Sequence, residues 1–139
     1  MIQDFSTLDA EGVANLANEM LLRGTPIVLE GSQVATCGGT GQIHVRGQLP
    51  LIRGMSIATI TSTYSGVCVH GCKACPHHVT GVFTQGDPLT LCNHVPVLTF
   101  GQIGVHAACC GPNTATAIEA LTMQVDAADV FVMPGVGGN

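Results

Sequence analysis

The sequence is short of charge. Asp, Glu, Lys and Arg make up 9% of its 139 residues, against roughly 25% in an average soluble domain. Cations are the scarcest of all: Arg23, Arg46, Arg53 and Lys73 are the full complement, and the formal net charge is −5. With no basic stripe to neutralise phosphates, nucleic acid is not an expected partner. Tryptophan is missing and aromatic residues reach 4%, while 46% of the chain is hydrophobic, so the surface must be unusually neutral.

Long apolar runs are also lacking. No formal charge occurs between Asp87 and Glu119, but that stretch carries Asn93, His94, Pro96, Gly101, Gln102, His106 and a Gly111-Pro112-Asn113 turn. It falls short of the roughly 20 consecutive apolar residues that a helix needs to cross a bilayer, so stable membrane insertion is not expected. Residues 1–12 lack the basic start and apolar stretch of a signal peptide. The expected course is synthesis in the cytoplasm and export by another route. Carboxylates are missing where a zinc enzyme would need one, because no Asp or Glu lies between Glu30 and Asp87 or between Asp87 and Glu119. Without a general base beside the Cys and His motifs, the chain is not expected to be an enzyme. A zinc ribbon would need a second Cys-x-x-Cys, and the sequence has only Cys72-Lys73-Ala74-Cys75.

What is present is concentrated. Seven cysteines and six histidines all fall between Cys37 and Cys110. An odd cysteine count without a secretory leader argues against a complete disulfide framework, and the overlap with histidine favours metal ligation over scattered buried thiols. As a redox dithiol, Cys72 and Cys75 would be expected to open a helix; instead Pro76-His77-His78-Val79-Thr80 leads into a β pattern. Cys68, Cys72 and Cys75 with His70 could also bind an ion among themselves.

The length fits one domain. Residues 6–24 predict a helix with Ser6 as N-cap, apolar positions at Leu8, Val13, Leu16, Ala17, Met20 and Leu21, and Gly24 just past its end. From Pro26 onward, short Val-, Ile-, Leu- and Thr-rich stretches alternate with turn residues, and the body is β. A weak threefold repeat runs through it. One copy begins Thr40-Gly41-Gln42-Ile43, the second Thr80-Gly81-Val82-Phe83, and a more diverged third Thr114-Ala115. Each copy reads as strand, turn, strand, turn, strand, the third ending through Ile118-Glu119-Ala120 and Met123–Ala127 at Val130-Phe131-Val132. A turn rich in Cys, Gly or His precedes each. Arranged around an axis, three such turns meet at one end, where too little volume remains for an apolar core and a structural ion is a natural clamp. The expected organisation is a helical segment over residues 1–25, a β body over 26–134 and a frayed tail over 135–139.

The stretches Thr36-Cys37-Gly38-Gly39-Thr40-Gly41-Gln42-Ile43, Cys75-Pro76-His77 with Thr80-Gly81, and Gly104-Val105-His106-Ala107-Ala108-Cys109-Cys110-Gly111-Pro112-Asn113 resemble the PAAR-repeat proteins. The resemblance covers about residues 28–132. It implies an all-β, pseudo-threefold cone with a metal-bound apex, here with one short N-terminal helix. It further implies a structural zinc ion, held in well-known members by three His and one Cys. The implied role is to cap and sharpen the trimeric β-helical spike of a contractile injection machine, such as a type VI secretion system or phage tail. The partner would be the spike trimer at the blunt base, one copy per trimer, with effector cargo as a further expected partner. The expected base has exposed strand edges and apolar surface, which suits the scarcity of charge. His77 stands where the Cys-Pro-His motif has its histidine and His106 where the Gly-Val-His motif has its own. Relatives with a Cys-Gly-Gly turn generally place His before it; Thr36 occupies that position here. Cys37 is the substitute and His44 a distant second, while Cys75 and Cys109 rank equally for the remaining place and Cys110 below them. The Pro-Ala-Ala-Arg signature does not occur, so the chain reads as a divergent or PAAR-like member.

The remaining chemistry-bearing residues have plainer readings. His44, His70, His78 and His94 are expected to be exposed or hydrogen-bonded, Cys92 to be a small core residue, and Met55, Met123 and Met133 to fill gaps. The alternative function is a free-standing small zinc-binding β module that acts as an interaction adaptor.

Overall fold

The computed structural model describes residues 2–69, 77–108 and 111–133. In chain order the elements are β1 (Gln3–Asp4), a 3-10 turn (Phe5–Thr7), α1 (Ala10–Leu22), β2 (Gln33–Ala35), β3 (Thr40–His44), β4 (Leu51–Ile52), β5 (Met55–Ser56) and β6 (Thr63–Cys68). There follow β7 (His77–Phe83), β8 (Asp87–Cys92), β9 (Val95–Val97), β10 (Ile103–Ala108), β11 (Gly111–Ala117), a second 3-10 turn (Ala127–Asp129) and β12 (Val130–Phe131). The chain is mostly β with one α-helix among the described residues. No helix among them is long and apolar enough to cross a membrane.

Three short apolar runs set the frame. Val28 N donates to Leu98 O at 3.0 Å, Leu98 N to Ala58 O at 2.9 Å, and Ala58 N to Val28 O at 2.9 Å, which closes a triangle. A second set repeats it: Glu30 N to Ser56 O, Ile60 N to Pro96 O and Phe100 N to Pro26 O. Each run then ends in the same turn, with Ser32 N on Leu29 O, Ser62 N on Thr59 O and Gln102 N on Thr99 O. Because successive residues of extended chain face opposite ways, the triangle divides two cores. Val28, Ala58 and Leu98 join Val34, Ile43, Tyr64, Phe83, Ala115 and Ala117 on one side. Ile27, Leu29, Ile57 and Val97 join Phe5, Val13, Leu16, Met20, Ile52, Leu121 and Val125 on the other.

On the first side the chain forms three hairpins, β2–β3, β6–β7 and β10–β11, which zip edge to edge into a closed six-stranded barrel. Closure leaves no free edge. The repeat read from the sequence has its register here: Thr40, Thr80 and Thr114 pair with Ala35, Ser65 and Val105, which are equivalent positions counted from Val28, Ala58 and Leu98. Tyr64 fills the barrel and is fully buried. Its ring has room because Gly81 and Gly104 line it; a Cβ built on Gly104 comes within 2.7 Å of the ring, and one on Gly81 overlaps it outright.

On the other side lie two arms and the helix. The arms β4–β5 and β8–β9 are hairpins whose central residues, Arg53-Gly54 and Asn93-His94, all have positive φ, the geometry that fits the strand twist. Asn93 and His94 sit at φ 52° and 68°, uncommon for residues other than glycine. Asp4 fastens this turn by accepting from Asn93 N at 3.2 Å and His94 N at 2.8 Å, while it also caps Ser6. Burial alone would raise the Asp4 carboxyl, but the hydrogen bonds from Ser6, His94 and Asn93 outweigh it and lower the group from its ordinary 3.8.

Several expectations need correction. The helix begins at Ala10, not residue 6: Asp9 is its N-cap, accepting from Gly12 N at 2.8 Å, and Ser6 bonds Asp4 instead. Its end is as read, with Gly24 at φ 88° and a Schellman pair, Gly24 N to Leu21 O and Thr25 N to Met20 O. The third copy has no hairpin arm. Residues 118–126 are not a strand; Leu121 N bonds Ile27 O, Val125 is clasped by Asn18, and β12 pairs with β4 of the first copy. Met123 and Met133 are exposed, so of the three expected gap fillers Met55 alone packs against a core. The lower face of the triangle, expected to lie open, is covered by α1. Cys92 is buried as read, and the tail from residue 134 lies outside the described residues.

Two stability predictions follow from this packing. Gly81→Ala should cost about 1–3 kcal/mol through overpacking against Tyr64, measured by urea unfolding, whereas Gly47→Ala, with nothing near its Cβ, should be close to neutral. Asp4→Asn should lose about 1–3 kcal/mol at pH 7, the scale of hydrogen bonds to a charged group. Since the folded-state value is depressed, this contribution is complete above pH 3.8 and disappears as pH falls through the folded value. The gap between wild type and Asp4→Asn in a urea series should therefore close on acidification; a gap that widens instead would contradict the assignment.

Candidate metal centre

Antiparallel order around a closed barrel fixes where the Cys- and His-bearing segments lie. Ala35 faces Thr40, Cys68 faces His77 and Ala108 faces Gly111, so all three hairpins close at the same end, away from the triangle. The first hairpin's turn is Thr36-Cys37-Gly38-Gly39. It is pressed onto β6: Val69 N donates to Cys37 O at 2.7 Å, and the Thr36 hydroxyl donates to Val67 O. Gly38 sits at φ 79° with no space for a Cβ against Val69 O, which is the local reason for the glycine after Cys37.

This docking brings together three side chains from three hairpins. Cys37, Cys68 and His106 place their ligand atoms within 4.8 Å of one another. Cys37 Sγ lies 3.6 Å from His106 Nε2. The Cys37 and Cys68 sulfurs are at disulfide distance, with Cα atoms 5.0 Å apart. Cys68 is fully buried, His106 is 5% exposed, and Cys37 is half-buried. His106 is held from behind: Tyr64 Oη lies 2.6 Å from its Nδ1, and the two rings meet edge to face. Burial pushes the Tyr64 phenol up to about 12, so the hydroxyl stays neutral. For His106 to ligate a metal through Nε2, its Nδ1 would carry the proton and donate to Tyr64 Oη, a second partner of the kind that orients ligating histidines.

The group could hold a metal ion, and its donor types suit zinc, although the two sulfurs are at disulfide distance. Two thiolates and an imidazole are the donors that Zn²⁺ prefers, and bond lengths of about 2.3 and 2.0 Å put tetrahedral sulfur and nitrogen ligands about 3.5 Å apart. The Cys37–His106 separation is of that size. The two sulfurs can serve as separate ligands only in the reduced, dithiol state, because a bonded pair offers no thiolate.

Of the five residues picked from the sequence, Cys37 and His106 converge. His77 opens β7 opposite Cys68, which places its backbone at the same end. The His77 side chain, Cys75 and Cys109 lie outside the described residues. Cys68 was read as an ion-binding residue only together with Cys72, Cys75 and His70, not beside Cys37 and His106. A signal for that placement exists in the sequence, since β6, which ends at Cys68, must finish near the first turn if the turns meet. The other histidines behave as read: His44 is exposed and bonds Ser65, His78 is exposed, and His94 reaches Asp4, while His70 lies outside the described residues. Cys92 is remote from the centre, and burial with the nearby Asp4 charge pushes its thiol up to about 12. Comparisons of the chain with protein-family models, with curated proteins and with solved structures find no match.

In reduced protein, His106→Ala and Cys68→Ser should each lower zinc affinity more than Tyr64→Phe, which should weaken it about 10–100-fold through loss of ligand support. Competition with a chromophoric chelator reads this directly. Equal affinity in all three variants and the wild type would remove these residues from the site.

Proposed function

We propose that this chain is a structural tip for a threefold spike, the cap that sharpens a trimeric β-helical shaft in a contractile injection machine and helps it pierce an envelope. One observation carries the reading: three hairpins related by the hydrogen-bonded triangle close at one end, where Cys37, Cys68 and His106 come together. In this reading that end is the apex of a cone, and a structural zinc ion pins it where no apolar core can. The resemblance of residues 28–132 to PAAR-repeat proteins points the same way. The reading assigns the chain no reaction; its work is mechanical, with effector cargo as a possible passenger.

The wide end would face the trimer, one chain per shaft, with the pseudo-threefold axis set on the true one. Because α1 covers the triangle there, the shaft would meet α1 and its neighbours, which expose Leu22, Met123 and Phe131. That same cover favours a second reading, a free-standing zinc-binding adaptor, since the chain closes its own base. Co-expression with a candidate β-helical trimer separates the two. The tip reading expects a stable complex of one chain per trimer, lost or weakened at least tenfold by Leu22→Asp with Phe131→Asp. A monomer indifferent to every such trimer favours the adaptor.

A further inference from the structure

The Cys37–Cys68 pair and His106 meet two structural demands that cannot be satisfied at once. As a disulfide, the pair joins the first and second hairpins and offers no thiolate. As a dithiolate, it forms with His106 a ligand set that joins all three hairpins. The buried imidazole of His106 lies 3.6 Å from the Cys37 sulfur, with its ring fixed by Tyr64. The Cα separation of 5.0 Å lies within the usual disulfide range.

We propose that Cys37 and Cys68 form a two-state staple at the hairpin end: under reducing conditions they hold zinc with His106, and a small-molecule disulfide converts them to a bond and expels the ion. The proposal rests on the zinc-holding end of the preceding reading. It gives that end a clamp on both sides of the redox boundary an exported particle crosses.

Burial sets the order of the exchange. Cys37 is half-buried and Cys68 fully buried, so Cys37 meets the oxidant first. Its thiolate attacks one sulfur of RS–SR, that S–S bond breaks, and RS⁻ leaves with the electron pair. The Cys68 thiolate then attacks Cys37 Sγ in the mixed disulfide, forming the Cys37–Cys68 bond and releasing the second RS⁻. The two protein sulfurs lose two electrons, the reagent becomes two thiolates, and Zn²⁺ departs from a neutral His106 without a proton transfer. A dithiol reductant with zinc reverses the sequence. Cys92, buried with its thiol held protonated, stays out of it.

The test uses the full chain, purified with reductant, loaded with zinc, freed of reductant under nitrogen and treated with oxidised glutathione. The expected result is release of about one zinc to a chromophoric chelator for every two thiols lost. Peptide mapping should find Cys37 joined to Cys68, and dithiothreitol with zinc should restore the starting state. Zinc retained after that bond forms overturns the proposal, as does zinc loss through a bond between other cysteines, or no loss at all. Failure is assignable: reduced protein that takes up no zinc sinks the metal-pinned tip and the staple together, whereas zinc that binds but ignores the oxidant sinks only the staple.

Discussion

Everything in this molecule hangs on the triangle of amide-to-carbonyl bonds that joins Val28, Ala58 and Leu98. These residues are far apart in the chain, so closing the triangle carries a large loop-entropy cost, which only the two cores it separates can offset. Once closed, it fixes the rest. The alternation of side chains assigns each run to both cores, the turns that follow launch three hairpins in the same direction, and closure of the barrel leaves their far ends nowhere to go but together. Backbone bonds place no demand on side-chain identity. That is why the sides can read Ile27-Val28-Leu29, Ile57-Ala58-Thr59 and Val97-Leu98-Thr99 without losing the geometry.

The symmetry belongs to the backbone and stops there. At the barrel position held by Tyr64, the equivalent residues are Val34 and Gly104. An axis has space for one large side chain, so its counterparts must shrink, and Gly104 and Gly81 give the ring its room. The same exclusion acts two residues further on, where His106 has Thr36 and Gly66 as counterparts. Among the described residues one imidazole reaches the centre, backed by Tyr64, and the sulfurs arrive from positions that no symmetry relates: Cys37 from a turn and Cys68 from a strand end. A centre built this way is asymmetric in chemistry while its scaffold is nearly threefold.

That asymmetry decides what could be read from the sequence. The helix, its glycine end, the β body and the repeat anchored on Thr40, Thr80 and Thr114 follow from local patterns and were legible. So were Cys37 and His106, because the repeat led to the turns. The place of Cys68 beside Cys37 and His106 was hidden because its counterparts in the repeat, Gly38 and Ala108, carry no donor side chain; only the docking of the first turn onto β6 brings it in. The third copy misled for a different reason. Val125 and its neighbours favour a strand by composition, but strand pairing needs a partner edge, and α1 with Asn18 claims that segment instead. The early helix start failed because Ser6 and Asp9 are both good caps, and the contact between Asp4 and the second arm, invisible along the chain, takes Ser6.

The place of α1 constrains any partner. Val13, Leu16 and Met20 are buried to 3% exposure or less, in one cluster with Ile27, Ile57 and Val97. At about 1.5–3 kcal/mol for each large apolar side chain, lifting the helix away would expose side chains whose burial is worth about 5–9 kcal/mol. A domain of ordinary stability has only about 5–15 kcal/mol in total. A partner that displaced α1 would therefore have to replace most of what holds the fold together, whereas one that docks on the helix and the arms beside it leaves the core intact. The helix is thus part of the folded unit in either functional reading. Under the proposed tip reading, a threefold shaft would meet α1 at the base, so its junction with the cap would be asymmetric on the cap's side.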